Sequence, residues 1–287
     1  MRKAIAAALK IGLFLIVWAA FYSPLLVPVA RKFPVDQPFT RLYFELAGAV
    51  TILAAAWILL LLIDRRPFQS LGFMTGHAVR DVLAGIALGC AMMAVCVAIL
   101  MVMGWALWLT LQPFSFRLLA IAAVAIMANT VTQEVLVRGY VQQTLDFAFG
   151  PRSAIVLSAC FFTLLHAGVI RTLLPALNLF AAGVLLGVAY SMTRNLWLPI
   201  GIHFAWNFLQ GPILGMRVSG QNVFSDHQML KVDGPASFTG GSFGIEEGLV
   251  GLAVTVAGIA VIYSITRWMA ADSPRAYPRA SLSASSR

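Results

Sequence analysis

Apolar runs of membrane-spanning length recur along nearly the whole of this 287-residue sequence, and they constrain its fold more than any other feature. A helix needs roughly 20 mostly apolar residues to cross the hydrocarbon core of a bilayer. Hydrophobic residues make up 60% of the chain, charged residues only 11%, and the mean hydropathy is +0.87. Because a soluble domain does not have this composition, the sequence predicts an all-α, polytopic integral membrane protein.

Hydropathy predicts about eight transmembrane helices, separated by segments that contain Pro, Gly, Arg and Asn. The fifth and seventh helices are short for a bilayer span, so we expect them to be tilted or partly buried in the bundle. The predicted helices are Ile5–Val29, Leu42–Ile63, Val82–Leu111, Leu118–Phe149, Ser153–Ala167, Leu173–Met192, Leu196–Leu209 and Leu249–Trp268.

The pattern indicates one structural domain with three regions. Residues 1–117 form an N-terminal three-helix membrane region, and residues 118–210 form a core that contains most of the polar residues found at membrane depth. Residues 211–287 contain a polar loop, the last transmembrane helix and a tail. From Ala271 onward, the tail has the composition of a disordered segment.

The net charge of +9 arises from 20 Lys and Arg residues against 11 Asp and Glu residues. The basic residues lie mostly between apolar runs, which argues for contact with the lipid bilayer and against nucleic-acid binding. With the N-terminus inside, 12 basic residues fall on the cytoplasmic side and 7 on the other. This bias predicts a multi-pass membrane protein with both termini cytoplasmic and Gly211 to Glu247 on the opposite face.

Two charged residues lie near the centre of the fourth predicted helix. On insertion scales, a charged side chain at this depth costs about 2.5 to 3.5 kcal/mol. Glu134 and Arg138 are four residues apart and therefore share one helical face, so a self-neutralising ion pair would account for them.

Three further polar residues lie at depth on two other predicted helices. His166 ends the fifth helix, and alone it would be typical of a core or interface residue. His203 and Asn207 share a face of the seventh, which favours a helix contact or a lined cavity. Together with Glu134 and Arg138, they predict a central polar cavity. Glu and His can activate water, and His and Asn can donate hydrogen bonds to an oxyanion, so the set favours hydrolysis within the membrane.

Three motifs occur in order between Leu118 and Leu209. They are QEVLVR at residues 133–138, FTLLH at 162–166 and HFAWN at 203–207. They resemble the Glu-Glu-x-x-x-Arg, Phe-x-x-x-His and His-x-x-x-Asn motifs of the CPBP family of intramembrane proteases. That family includes CAAX prenyl endopeptidases and bacteriocin-processing or immunity (Abi-like) proteins.

The resemblance implies an endopeptidase that cleaves a membrane-associated peptide or protein, and with it we expect a location in a bacterial inner (cytoplasmic) membrane. In the family's usual assignment, the first Glu of the first motif and the His of the second activate water, and the third motif holds the oxyanion. Carried over, His166 orients or deprotonates water, His203 and Asn207 stabilise the tetrahedral intermediate, and Arg138 positions Glu134.

Gln133 stands where the family has its first Glu. A neutral amide cannot act as a general base, although it can still hydrogen-bond water or substrate. Glu134 is the carboxylate left in the cluster and becomes the candidate base. Two other functions stay open: a catalytically inactive immunity, regulatory or scaffolding protein, and a transporter. The transporter is disfavoured because the sequence has no detectable inverted repeats.

Two mechanisms are compatible with the cluster. Glu134, His166 and His203 match in type the His₂Glu ligands of a catalytic zinc ion, and members of the family are often described as metalloproteases. A metal-free glutamate mechanism uses the same residues, and the sequence contains no HExxH motif.

Two carboxylates lie outside the motifs, at the start of the last predicted helix. Glu246 and Glu247 are typical there of a solvated helix N-terminus, which the helix dipole favours. The stretch from Gly240 to Glu246 also looks like a segment common in bacterial members of the family.

Overall fold

Ten α-helices and one small sheet form the described part of the chain. The computed structural model describes residues 1–109, 115–222, 224 and 228–272, and their side chains as far as residue 265. The helices are α1 (Arg2–Ala30), α2 (Pro38–Leu59), α3 (Ala78–Val102), α4 (Phe116–Glu134), α5 (Gln143–Phe149), α6 (Pro151–Leu165), α7 (Leu173–Thr193), α8 (Trp197–Phe208), α9 (Ala236–Thr239) and α10 (Leu249–Asp272). Strands β1 (Ala106–Trp108) and β2 (Leu230–Val232) pair antiparallel, with Leu107 opposite Lys231.

Five helices of the described residues are long and apolar enough to cross a membrane. They are Arg2–Ala30, Pro38–Asp64, Ala78–Val102, Phe116–Phe149 and Leu173–Thr193, and two shorter apolar helices cover Pro151–Leu165 and Leu249–Ile265. The predicted all-α, polytopic membrane fold is therefore confirmed, whereas the predicted count of eight spans is not. At 12 residues, α8 is about 18 Å long, well short of a hydrocarbon core of about 30 Å.

The third predicted helix is too long at its C-terminal end. It was expected to reach Leu111, which lies outside the described residues, but α3 ends at Val102 and the chain continues into β1. Gly104 adopts a left-handed conformation with φ +70°, and its N–H donates to the Met101 carbonyl at 3.0 Å. This glycine ends the helix because the left-handed region carries no steric penalty for a residue without Cβ.

The fourth predicted helix is continuous but not uniform. A π-helical segment, Val135–Gln142, connects α4 to α5, so that one helix runs from Phe116 to Phe149. Such π segments often occur at functional sites, because the wider turn changes the directions in which side chains project. Here the segment begins directly after Glu134 and contains Arg138.

The C-terminal region contains more structure than the sequence predicted. The expected loop from Gly211 to Glu247 includes the end of a π turn at Ile213, strand β2, helix α9 and a 3₁₀ turn, Ile245–Glu247. Helix α10 passes the predicted end at Trp268 and continues to Asp272, so the first two residues of the predicted disordered tail are helical. The rest of that tail, residues 273–287, lies outside the described residues.

Helix α8 packs directly against the backbone of α3, and small residues make this approach possible. A Cβ atom on Gly201 would lie 2.9 Å from the Ile86 nitrogen, and one on Gly89 would lie 2.8 Å from the Ile202 carbonyl oxygen. Glycine interfaces of this kind let membrane helices pack closely where no hydrophobic driving force exists between them. The contact fixes α8, which carries the third motif, in the interior of the bundle.

Polar contacts are found at both ends of the bundle. At one end, Lys10 forms an ion pair with Asp64, and Arg194 forms an ion pair with Asp146 at 2.7 Å. At the other, Arg41 donates to Gln221 at 3.0 Å, which connects α2 to the segment between α8 and α10. Two polar ends are the arrangement expected of a bundle that crosses a bilayer.

Candidate active site

The first motif forms a fully buried ion pair. Glu134 and Arg138 both have 0% exposed surface, and Arg138 Nη1 donates to Glu134 Oε1 at 2.9 Å. Arg138 Nη2 also donates to the Gly183 carbonyl of α7 at 3.1 Å, and the guanidinium carbon lies 4.7 Å from the centre of the Phe162 ring. These contacts offset the free energy needed to hold an arginine at membrane depth.

The third motif is joined to this pair by His203. His203 Nδ1 lies 2.8 Å from Glu134 Oε1, the same oxygen that accepts from Arg138. Because a carboxylate only accepts hydrogen bonds, Nδ1 carries the proton and Nε2 is directed away from Glu134. Asn207 follows one turn later on α8, so both side chains project from one face of the helix.

The second motif places His166 just after the end of α6. The helix ends at Leu165, and His166 Nδ1 lies 2.9 Å from the carbonyl oxygen of Phe162. A carbonyl oxygen can only accept, so Nδ1 donates and the neutral ring keeps an acceptor lone pair on Nε2. The Phe162 ring packs against both His166 and His203, with ring centroids at 4.8 and 6.1 Å.

One cavity of about 260 Å³ joins the motifs. Four of the six predicted site residues line it, whereas Glu134 and Arg138 lie behind His203 and take no part in its wall. The prediction that all the motif residues surround the cavity is therefore wrong for Glu134 and Arg138. Their two charges neutralise each other inside the protein, and neither side chain has exposed surface. The principal polar side chains of the lining are Gln133, His166, His203, Asn207, Glu45 and Glu246.

Gln133 belongs to a polar chain along one side of the cavity. Its Nε2 donates to Asn129 Oδ1 at 2.7 Å, and Asn129 Nδ2 donates to Glu45 Oε2 at the same distance. Arg41 Nε lies 3.7 Å from the other oxygen of Glu45. Gln133 Oε1 is buried and has no hydrogen-bond partner among the described residues, so it is available to a molecule in the cavity.

Glu246 lines the cavity, although its sequence position predicted a solvated residue at a helix N-terminus. Its carboxylate accepts hydrogen bonds from Ser219 N at 2.6 Å, Ser219 Oγ at 2.8 Å and Trp206 Nε1 at 3.2 Å. Burial raises the pKa of Glu246 above its usual range, and the Ser219 hydrogen bonds and the charge of His203 oppose that shift in part. The signal available in the sequence was the glycine-rich segment that precedes it.

The proposed zinc ligands do not assemble as a three-residue set. Glu134 Oε1 is already shared by Arg138 and His203, and Glu134 does not reach the cavity. Within the described ranges, no group of three or more His, Cys, Asp or Glu side chains is arranged to hold a metal ion. The two histidines could present only their Nε2 atoms, which is fewer protein ligands than a catalytic zinc site has.

One family model matches the chain. Residues 113–209, about a third of the sequence, match the type II CAAX prenyl endopeptidase Rce1-like family. The matched segment contains all three motifs and confirms the resemblance to CPBP proteases. No curated protein and no solved structure matches.

Removing one charge of the buried pair should destabilise the fold strongly. Arg138→Gln leaves the carboxylate of Glu134 buried beside His203 alone, and losses of about 3 to 5 kcal/mol are typical of such changes. The control is Arg194→Gln, because Arg194 pairs with Asp146 at the protein surface and such exposed ion pairs contribute about 0 to 1 kcal/mol to the free energy of unfolding. Denaturant unfolding in detergent micelles measures both; equal losses for the two variants would contradict a structural role for the buried pair.

Proposed function

We propose that this chain is an intramembrane endopeptidase that hydrolyses a peptide bond of a membrane-associated peptide or protein. The match of residues 113–209 to the Rce1-like family supports this function. The observation that carries the proposal is the shared cavity of His166, His203 and Asn207. In both histidines, Nδ1 is bonded to the protein, which leaves Nε2 to act on a substrate or water.

His166 is the residue that orients the attacking water. Its Nδ1–H donates to the Phe162 carbonyl, so the neutral ring presents Nε2 as a hydrogen-bond acceptor. Gln133 Oε1, which is buried without a partner among the described residues, is an acceptor for an N–H group of the substrate. An amide can hydrogen-bond substrate in this way but cannot take up a proton from water.

His203 and Asn207 stabilise the oxyanion of the tetrahedral intermediate. Asn207 donates from its amide nitrogen, and His203 donates from Nε2 when both ring nitrogens carry protons. Glu134 compensates that positive charge through its bond to Nδ1, as the buried carboxylate of a Ser-His-Asp triad does. Glu134 therefore orients His203 and is not the base that meets the water.

Substrate enters the cavity from the bilayer. Leu165 lines the cavity and is also 43% exposed, and its neighbour Leu164, outside the lining, is 68% exposed. The end of α6 thus carries exposed apolar side chains next to His166, and we propose that the entrance lies there. A membrane-associated segment suits such an entrance, because its apolar flanks remain in the bilayer while the peptide bond enters.

The metal requirement is a separate part of the proposal. The cavity offers two histidine Nε2 atoms and no third ligand from Glu134, so we propose that hydrolysis proceeds without zinc. A chelator that abolished cleavage, with recovery on adding back zinc, would overturn this part alone.

We propose an inner-membrane location with both termini cytoplasmic. Ser219 and Gln221 line the cavity, and with Ser242 they lie in the segment predicted for the opposite face. On this topology the polar side of the cavity faces away from the cytoplasm.

Cysteine labelling tests this topology. With Cys90, Cys96 and Cys160 replaced by Ala, a membrane-impermeant maleimide should label Ser242→Cys in intact cells. Ser153→Cys should react only after permeabilisation. Both serines are exposed in the structure, which makes the pair a matched set. The reverse pattern would place the termini outside.

Peptide cleavage tests the enzymatic function. We expect the wild-type protein in detergent to cleave at least one member of a panel of prenylated and unprenylated peptides. His166→Ala should lower kcat by about 10²-fold or more, because the attacking water loses the acceptor that positions it. Glu247→Gln, a substitution of a polar residue outside the cavity, is the control for nonspecific damage. A wild type that cleaves nothing while Gln133→Glu is fully active would instead support a catalytically inactive immunity, regulatory or scaffolding protein.

A further inference from the structure

The cavity contains two carboxylates, and neither belongs to a motif. Among the described residues that line it, the acidic side chains are Glu45 of α2 and Glu246 of the 3₁₀ turn before α10. Hydrolysis needs a group that accepts a proton from water, and Gln133 cannot. The surroundings of the two carboxylates indicate which is suited to that task.

Glu45 is held by a cation and an amide. Arg41 lies 3.7 Å from one oxygen and Asn129 donates to the other at 2.7 Å. Asn129 in turn accepts from Gln133 Nε2 at 2.7 Å, so both oxygens of Glu45 face partners within one polar network. Glu45 is therefore suited to holding the Asn129 and Gln133 side chains in position.

Glu246 is held by neutral donors. Ser219 donates twice to Oε2, and Trp206 donates once to Oε1. No Lys or Arg among the described residues forms an ion pair with Glu246. One lone pair of Oε1 remains after these bonds, so a water molecule in the cavity has an acceptor in a fixed position.

Contacts on two sides hold Glu246 close to the third motif. Trp206, its indole donor, immediately precedes Asn207 and follows His203 by three residues on α8. On the other side, Gly244 has φ +107°, and a Cβ there would lie 2.8 Å from Gln210 Nε2 and collide with the Arg217 carbonyl. Only glycine allows the turn to approach so closely, and this approach holds Glu246 against the cavity.

We propose that Glu246 is the general base of the peptidase, in the role that Gln133 cannot fill; the inference rests on the proposed function. Glu246 Oε1 takes one proton from the water as its oxygen forms a bond to the carbonyl carbon. The carbonyl π electrons move to the oxygen, which His203 and Asn207 stabilise. When the C–N bond breaks, the same proton passes from Glu246 to the leaving amine, which restores the carboxylate and balances the reaction.

The test compares two adjacent glutamates in the full-length protein in detergent. Glu246→Gln should lower kcat for a peptide that the wild type cleaves by about 10² to 10⁴, with KM changed by only a few-fold. Glu247→Gln is the matched control, because Glu247 accepts from Thr172 at 3.0 Å and does not line the cavity. Its kcat should stay close to the wild-type value.

A double variant separates loss of a base from loss of structure. Gln133→Glu returns a carboxylate to the position where the family has one, so Gln133→Glu with Glu246→Gln should recover at least ten-fold in kcat over Glu246→Gln alone. A Glu246→Gln protein that lost activity through misfolding would not recover in this way. Recovery supports the assignment, and its absence overturns it.

The remaining outcomes distinguish this inference from the proposed function. If the wild type cleaves, His166→Ala does not and Glu246→Gln keeps its kcat, the peptidase stands and Glu246 is not its base. The same conclusion follows if Glu45→Gln abolishes kcat while Glu246→Gln does not. If the wild type cleaves nothing in the panel, both the function and the base assignment fail.

Discussion

The Glu134 carboxylate, which is shared by Arg138 and His203, is the interaction on which the site depends. One oxygen accepts from Arg138 at 2.9 Å and lies 2.8 Å from His203 Nδ1. A lone charge at this depth would be unfavourable, and breaking such a pair typically costs about 3 to 5 kcal/mol. The bond between Glu134 and His203 therefore joins helices α4 and α8. The bond from Arg138 to the Gly183 carbonyl joins the same segment to α7.

This buried pair separates the polar interior into two layers. Glu134 and Arg138 form an inner layer with no exposed surface, and the histidines and Asn207 form the wall of a cavity in front of it. The inner layer sets the direction of His203, while the cavity wall supplies the groups that contact water and substrate in the proposed function. Gln133 is a neutral amide and cannot act as a base, but Glu246, a carboxylate from another segment, lines the same cavity.

The sequence predicted the helical membrane fold and identified four of the cavity residues, because both follow from local patterns. Long apolar runs mark spans, and an i to i+4 spacing, as between His203 and Asn207, aligns side chains on one helical face. The position of Glu246 in the cavity wall could not be predicted in this way. Its contacts with Ser219 and Trp206 bridge residues 27 and 40 positions apart, and they depend on how the loop folds over the bundle. The end of α3 was missed because Gly104 stops a helix that hydropathy alone would extend.

The most direct test of peptide-bond hydrolysis at this cavity is a comparison of protein N-termini in membranes from cells that produce either the wild type or His166→Ala at equal abundance. We expect new N-termini, within or beside apolar segments of membrane proteins, that are present with the wild type and absent with the variant. Identical sets of N-termini in the two membranes would contradict the claim that this cavity hydrolyses peptide bonds.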